Sequence, residues 1–224
     1  MFDSISGDYD KLNHIMSLDV DRTWRKRALK RIVDTAGPLS VLDLACGTGD
    51  FSVAVAERLE AGHVTGVDLS EGMLKVMEEK VARKGLGSKV SAELGDGEDL
   101  HFSDASFDRV TIAFGIRNFE DKAKGLREAL RVLKPGGRLV ILELSRPENA
   151  VVRWLYDLYF LHVMPTIGGS VSGDKAAYRY LPASVVNFPS KDAFMAMMME
   201  AGFGNVRHEA FTFGICRMFI GEKV

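Results

Sequence analysis

The chain has 224 residues, 46% hydrophobic and 27% charged, a composition that lets one globular domain bury a sizeable core without disulfide or metal staples. With 29 basic against 31 acidic residues and a net charge of −2, it has no cationic surplus for general phosphate attraction, so no nucleic-acid partner is expected. No apolar run is long enough to span a bilayer, residues 1–10 lack a secretory leader, and Cys46 and Cys216 form no zinc-type spacing. A cytoplasmic protein without a structural metal is the expectation.

Residues 1–37 read as an N-terminal helical cap. Trp24, Ala28, Leu29, Ile32, Val33 and Ala36 recur at helical spacing, and Arg22, Arg25, Lys26, Arg27, Lys30 and Arg31 between them read as a solvated face. Gly37-Pro38 ends the helix. From residue 38 short apolar runs alternate with helical ones. Strands are expected at 40–45, 63–67, 89–94, 107–114 and 138–144. Helices are expected at 50–59, from the Ser70 cap through Val81, and at 123–133, the last closed by Lys134-Pro135-Gly136-Gly137. That alternation predicts parallel pairing with helices on both faces. Residues 146–189 break the rhythm and read as a lid-like insertion. Its segment from Val151 to Met164, rich in Trp154, Leu155, Leu158 and Phe160, is apolar on most sides. Residues 190–201 give a last helix, and 206–213 with 215–221 a hairpin at the sheet edge, for seven strands in one doubly wound, mostly parallel α/β sheet.

The first strand delivers Asp43-Leu44-Ala45-Cys46-Gly47-Thr48-Gly49-Asp50, a turn whose glycines admit a ligand to the backbone, and the second strand ends at Asp68, spaced to reach a ribose diol. A dinucleotide fingerprint needs a third glycine where this chain has Ser52, and Asp50 places a carboxylate where pyrophosphate charge would sit. S-adenosylmethionine, which carries a sulfonium and an ammonium and no phosphate, suits Asp43 and Asp50 better. A nicotinamide-dependent oxidoreductase and a non-catalytic sensor of the cofactor are the rivals from other classes. Gly95-Asp96-Gly97 follows the third strand, so Asp96 and the Gly97 backbone should face the same ligand at its adenine, unless Asp96 is simply a turn acid.

This order of elements resembles the class I S-adenosylmethionine-dependent methyltransferases, with their Rossmann-like core. More specifically, the chain resembles the ubiquinone/menaquinone biosynthesis C-methyltransferase family. The likeness is carried by Tyr9-Asp10 with Asn13 and Ser17, Asp21-Arg22 with Trp24-Arg25, Phe114-Gly115-Ile116-Arg117-Asn118-Phe119, Glu143 with Ser145 and Pro147, and Tyr178-Arg179-Tyr180-Leu181 with Ser184, Phe188 and Pro189. The chain departs from the family's pattern at Asp19, at Ala113 (a serine near the cofactor in some members) and at Phe213-Gly214-Ile215-Cys216. The resemblance implies cofactor contacts at Thr48, Asp68, Asp96 and Gly97, beside Asp43, Gly47 and Gly49 from the loop.

It also implies methylation of a ring carbon of a reduced polyprenyl quinone, with demethylmenaquinol as the first choice. A methoxylated polyprenyl benzoquinol and a small soluble phenol are the alternatives. Such chemistry needs a stabilised phenolate, for which Arg117 is the first candidate, with Asn118 orienting the same oxygen. The competing role for Arg117 is a structural ion pair with Glu143 or Asp121. Tyr9, Asn13, Tyr178 and Tyr180 are candidates to close the pocket, and His162 is a candidate proton acceptor. An insoluble prenyl tail implies transient contact of the insertion with the inner membrane surface, core packing or a homodimer contact being the rival use of that helix.

Overall fold

The computed structural model describes residues 19–159 and 183–224. Seven strands form one sheet: β1 (Leu39–Leu44), β2 (Gly62–Asp68), β3 (Val90–Leu94), β4 (Phe107–Ala113), β5 (Leu133–Leu144), β6 (Gly204–Phe211) and β7 (Cys216–Glu222). Their spatial order is β3-β2-β1-β4-β5-β7-β6, parallel from β3 to β5 and antiparallel on both sides of β7. The chain therefore winds outward from β1 in one direction to β3 and in the other from β4. The gap between the carboxyl ends of β1 and β4 is the topological switch point where open α/β sheets take their ligands.

The helices are α1 (Asp21–Ile32), α2 (Asp50–Ala56), α3 (Glu71–Arg83), α4 (Lys122–Val132), α5 (Ala150–Leu158) and α6 (Lys191–Glu200). Four start on side-chain caps: Ser70, Asp121 and Ser190 each accept the backbone N–H three residues on, and Asn149 accepts those of Val151 and Val152. One apolar core lies between the sheet and α1, α2 and α3, gathering Trp24, Ile32, Phe51, Val64 and Met77. The other lies on the opposite face under α4 and α6, around Leu126, Val132, Phe194 and Phe219.

Two expectations change in detail. The Lys134–Gly137 turn is folded into β5 as a bulge: Phe107 faces Leu133, but Arg109 already faces Arg138. The left-handed Gly136 (φ 75°) allows this, and its N–H is taken up by the carbonyl of Lys223. The described part of the insertion helix, α5, is two-sided. Tyr156 is buried, while Val151, Trp154, Leu155 and Leu158 form an exposed apolar stripe. The remainder of that predicted helix, from Phe160, lies outside the described residues. Among the described residues no helix is long and apolar enough to cross a membrane.

Candidate active site

A cleft of about 330 Å³ opens at the switch point, over the carboxyl ends of β1, β2 and β4 and the loop after β3. Of the residues expected to bind cofactor, Asp43, Gly47, Thr48, Asp68, Asp96 and Gly97 line it. Two lining residues at strand ends, Ala45 (φ 51°) and Phe114 (φ 62°), hold left-handed backbone that costs a non-glycine residue energy. Such strain persists only where the surroundings over-determine it, a pattern common at ligand sites.

The loop after β1 is organised by the acid at the end of β2. The N–H of Gly47 donates to Asp68 Oδ2 at 2.8 Å and the N–H of Ser70 to Oδ1 at 2.9 Å, so both carboxylate oxygens are fixed in direction. Gly49, also expected at the cofactor, is not among the lining residues. It caps α2 with φ 76°, and a Cβ there would collide with the Met77 side chain, so packing against α3 accounts for this glycine.

Asp43 lies beneath the loop. Its Oδ2 accepts from Ser52 Oγ at 2.5 Å, whereas Oδ1 is buried without a hydrogen-bond partner. Burial pushes the Asp43 carboxyl up to about 7, against the opposing pull of Ser52 and of the Arg25 charge. Asp50 differs from its expected role. The buried Lys80 ammonium on α3 pairs with its carboxylate, so its charge is largely committed within the protein. Burial and the neighbouring Asp43 and Asp68 raise the Cys46 thiol well above its ordinary value, which keeps it protonated and inert.

On the far side, Asp96 does act as a turn acid, with Oδ1 accepting the Glu98 N–H at 2.8 Å, and it also lines the cleft. The ring of Phe119 fills the space left by two glycines on separate segments. A Cβ on Gly97 would fall 2.7 Å from its Cζ, and one on Gly125 would collide with the same ring.

Arg117 and Asn118 sit in the short 3₁₀ turn Ile116–Asn118 after β4, and the turn separates them. Asn118 lines the cleft and Arg117 does not. The Arg117 guanidinium meets the fully buried Glu143 at 2.8 Å, donates to the Phe114 carbonyl, and reaches Ser184 Oγ at 3.3 Å. Its backbone N–H also donates to Glu143 at 3.1 Å. Of the two roles open to Arg117 in sequence, the ion pair with Glu143 is the one formed here. Tyr9, Asn13, His162, Tyr178 and Tyr180 lie outside the described residues.

The sequence reading gave no site role to several lining residues, among them Glu98, Glu120 and Arg25. Arg25 of α1, taken there for part of a solvated face, points into the cleft with its side chain 16% exposed. A signal was present: Asp21, Arg25, Ala28 and Ile32 repeat at helical spacing, and the other three are buried.

The fold is shared widely. A methyltransferase from Aquifex aeolicus described as SAM-dependent matches with a TM-score of 0.63 at 20% identity over 89% of both chains. The [4+2]-cyclase SpnF matches with a TM-score of 0.68 at 19% identity, over 89% of this chain and 81% of its own. A fold that serves a cyclase and a methyltransferase does not by itself name the chemistry. Sequence similarity is more selective. The chain is 46% identical to the ubiquinone/menaquinone biosynthesis C-methyltransferase UbiE of Geotalea daltonii, covering all of this chain and 94% of that protein. It is 43% identical to the demethylmenaquinone methyltransferase of Bacteroides fragilis, covering all of this chain and 91% of that one. Residues 1–223 match the ubiE/COQ5 methyltransferase family, and the chain belongs to that family.

Proposed function

We propose that this protein uses S-adenosylmethionine to methylate a ring carbon of a reduced polyprenyl quinone, with demethylmenaquinol as the acceptor. Family membership and the names of the relatives support the reaction class. The observation that carries the cofactor assignment is the cleft's charge. Asp50 is paired with Lys80 and burial raises the Asp43 carboxyl, but Asp68, Asp96, Glu98 and Glu120 also line the cleft, an acidic wall that would repel a pyrophosphate and that suits a donor with a sulfonium and an ammonium. The orphaned Asp43 Oδ1 is an acceptor that such a cation would satisfy.

When bound, S-adenosylmethionine would supply the methyl group, its sulfur keeping the electron pair of the broken S–CH3 bond as S-adenosylhomocysteine, while the proton displaced from the acceptor's ring carbon passes to water. The chain's own residues hold and orient. In this reading Asp68 takes the ribose hydroxyls, and Asp96 with the Gly97 backbone takes the adenine edge; that all three line the cleft supports it. Thr48 and Gly47 form the wall between ribose and loop. Phe51, Phe114 and Phe119 exclude water, which strengthens every charge interaction inside. Asn118 presents its amide to the acceptor's oxygen. Arg117 is a positioning residue in this scheme: by gripping Glu143 and the Phe114 carbonyl, it fixes the turn that carries Asn118. Holding carbon, methyl and sulfur in line can contribute about 7–11 kcal/mol of the barrier.

The stripe of Val151, Trp154, Leu155 and Leu158 follows i, i+3, i+4, i+7, with Trp154 64% exposed. An apolar face on the insertion supports brief contact with a membrane surface, where a prenyl tail resides. The deciding assay is methyl transfer to a panel of quinols, each also offered oxidised. It should contain tailed naphthoquinols, tailed methoxybenzoquinols and tail-less phenols. Activity confined to reduced, tailed naphthoquinols is expected. Activity on oxidised forms alone contradicts the phenolate chemistry, and equal rates on tail-less phenols contradict the tail's role.

A further inference from the structure

We propose that Arg25 is the carboxylate-binding residue of the cofactor site, clamping the amino-acid end of S-adenosylmethionine from the N-terminal cap. This inference rests on the cofactor reading above and adds a contact to it. The cleft runs along the sheet from the β3 loop, across Asp68 on β2, to β1 and the end of β4. If Asp96 marks the adenine end and Asp68 the ribose, the amino-acid portion extends toward Phe114, and Arg25 lies there. Its guanidinium carbon stands 5.1 Å from the centroid of the Phe114 ring and 5.9 Å from that of Phe51. Asp21, one turn earlier on α1, holds the Arg25 Nε at 3.3 Å and fixes the side chain from behind.

The charge pattern points the same way. Among the described residues Arg25 is the one cation lining the cleft, facing an otherwise acidic wall. An acidic wall can receive the ammonium and the sulfonium, but it repels the carboxylate that sits on the same carbon as that ammonium. A zwitterionic amino acid therefore needs a cation within reach of its carboxylate, and Arg25, held through Nε by Asp21, supplies one. A planar guanidinium with two outward N–H groups is matched to a carboxylate in a way that an ammonium is not. Because Arg25 belongs to α1 and the other cofactor contacts belong to the sheet's loops, the cap becomes part of the binding site rather than a cover over it.

The test compares three ligands by calorimetry on the wild-type chain, Arg25→Gln and Arg25→Lys. S-adenosylhomocysteine carries the carboxylate. Its decarboxylated analogue keeps only the ammonium, and 5′-methylthioadenosine lacks the amino-acid group entirely. Arg25→Gln should weaken S-adenosylhomocysteine by about 10- to 100-fold. It should leave 5′-methylthioadenosine unchanged, which also reports that the variant's pocket is folded, and should not weaken the decarboxylated analogue. Arg25→Lys should recover part of the loss. Equal weakening of all three ligands by Arg25→Gln, or weakening of none, overturns the assignment to Arg25. Failure of the wild-type chain to bind any of the three overturns the cofactor reading beneath it.

Discussion

The Arg117 guanidinium and the Glu143 carboxylate face each other at 2.8 Å with almost no access to water, the arginine side chain 6% exposed and the glutamate fully buried. Removing one member of such a pair leaves the other charge stranded in a low-dielectric interior. Arg117→Ala should therefore cost about 3–5 kcal/mol of folding stability in urea denaturation. Adding Glu143→Gln should restore part of that loss. An unchanged denaturation midpoint for Arg117→Ala would mean that the arginine's importance lies with the bound acceptor alone.

Asp43 gives the fold a measurable pH signature. Its folded-state carboxyl is raised from 3.8 to about 7, first by burial, with Asp68 adding repulsion and Ser52 and Arg25 opposing it. A raised acid means that the folded chain holds a proton the unfolded chain has already released. The stabilisation is complete below pH 3.8 and is lost as pH rises to about 7. The stability difference between Asp43→Asn and the wild type should grow in the variant's favour across that window, by on the order of a few kcal/mol. Cationic ligand should pull the carboxyl back down, so binding of S-adenosylmethionine near pH 7 should release protons. Calorimetry in buffers of different ionisation heat reads that release directly.

Asp68 has a double task, fixing Gly47 and Ser70 through their N–H groups while facing the cleft. Asp68→Ala should lower affinity for S-adenosylhomocysteine by about 100-fold or more, since the ligand contact and the loop's anchor go together. Asp68→Asn keeps one acceptor oxygen and should fall between. Equal affinities in all three chains would place the ribose elsewhere.

The α5 stripe can be tested by flotation or co-sedimentation with vesicles of phosphatidylethanolamine and phosphatidylglycerol. Trp154→Glu combined with Leu158→Glu should abolish partition while leaving the melting temperature within a degree or two, because both side chains are exposed. Persistent partition would remove α5 from any membrane role. A shift from dimer to monomer in the same variant would identify the stripe as a contact between copies.

Much of the architecture was legible because its causes are local. The Ser70 cap and the start of the last helix near Ser190 are decided within a few residues. The glycine loop and Asp68 were legible for a related reason: a turn at a strand's end and an acid at the end of the next strand are fixed by the parallel pairing of β1 with β2. What sequence could not resolve were choices made by distant partners. Arg117 and Asn118 are neighbours, and only the position of Glu143, 26 residues on, turns one inward and leaves the other at the cleft. Asp50 looked like an open charge until Lys80, 30 residues away, was found beside it. Arg25 sits among five other cations on α1, and only the side chain of Asp21 one turn earlier, which holds its Nε, marks it off from them.

The ring of Phe119 occupies room vacated by both Gly97 and Gly125, so these three positions share one allotment of volume. Enlargement at either glycine must be answered by the same ring, whose displacement would narrow the end of the cleft at Asp96. Tolerance here is thus conditional: alanine at Gly97 is disruptive beside phenylalanine, yet acceptable once position 119 carries a leucine. Variants drawn one site at a time would rank this corner as immutable, whereas paired libraries would find it adjustable, offering a route to a reshaped cleft.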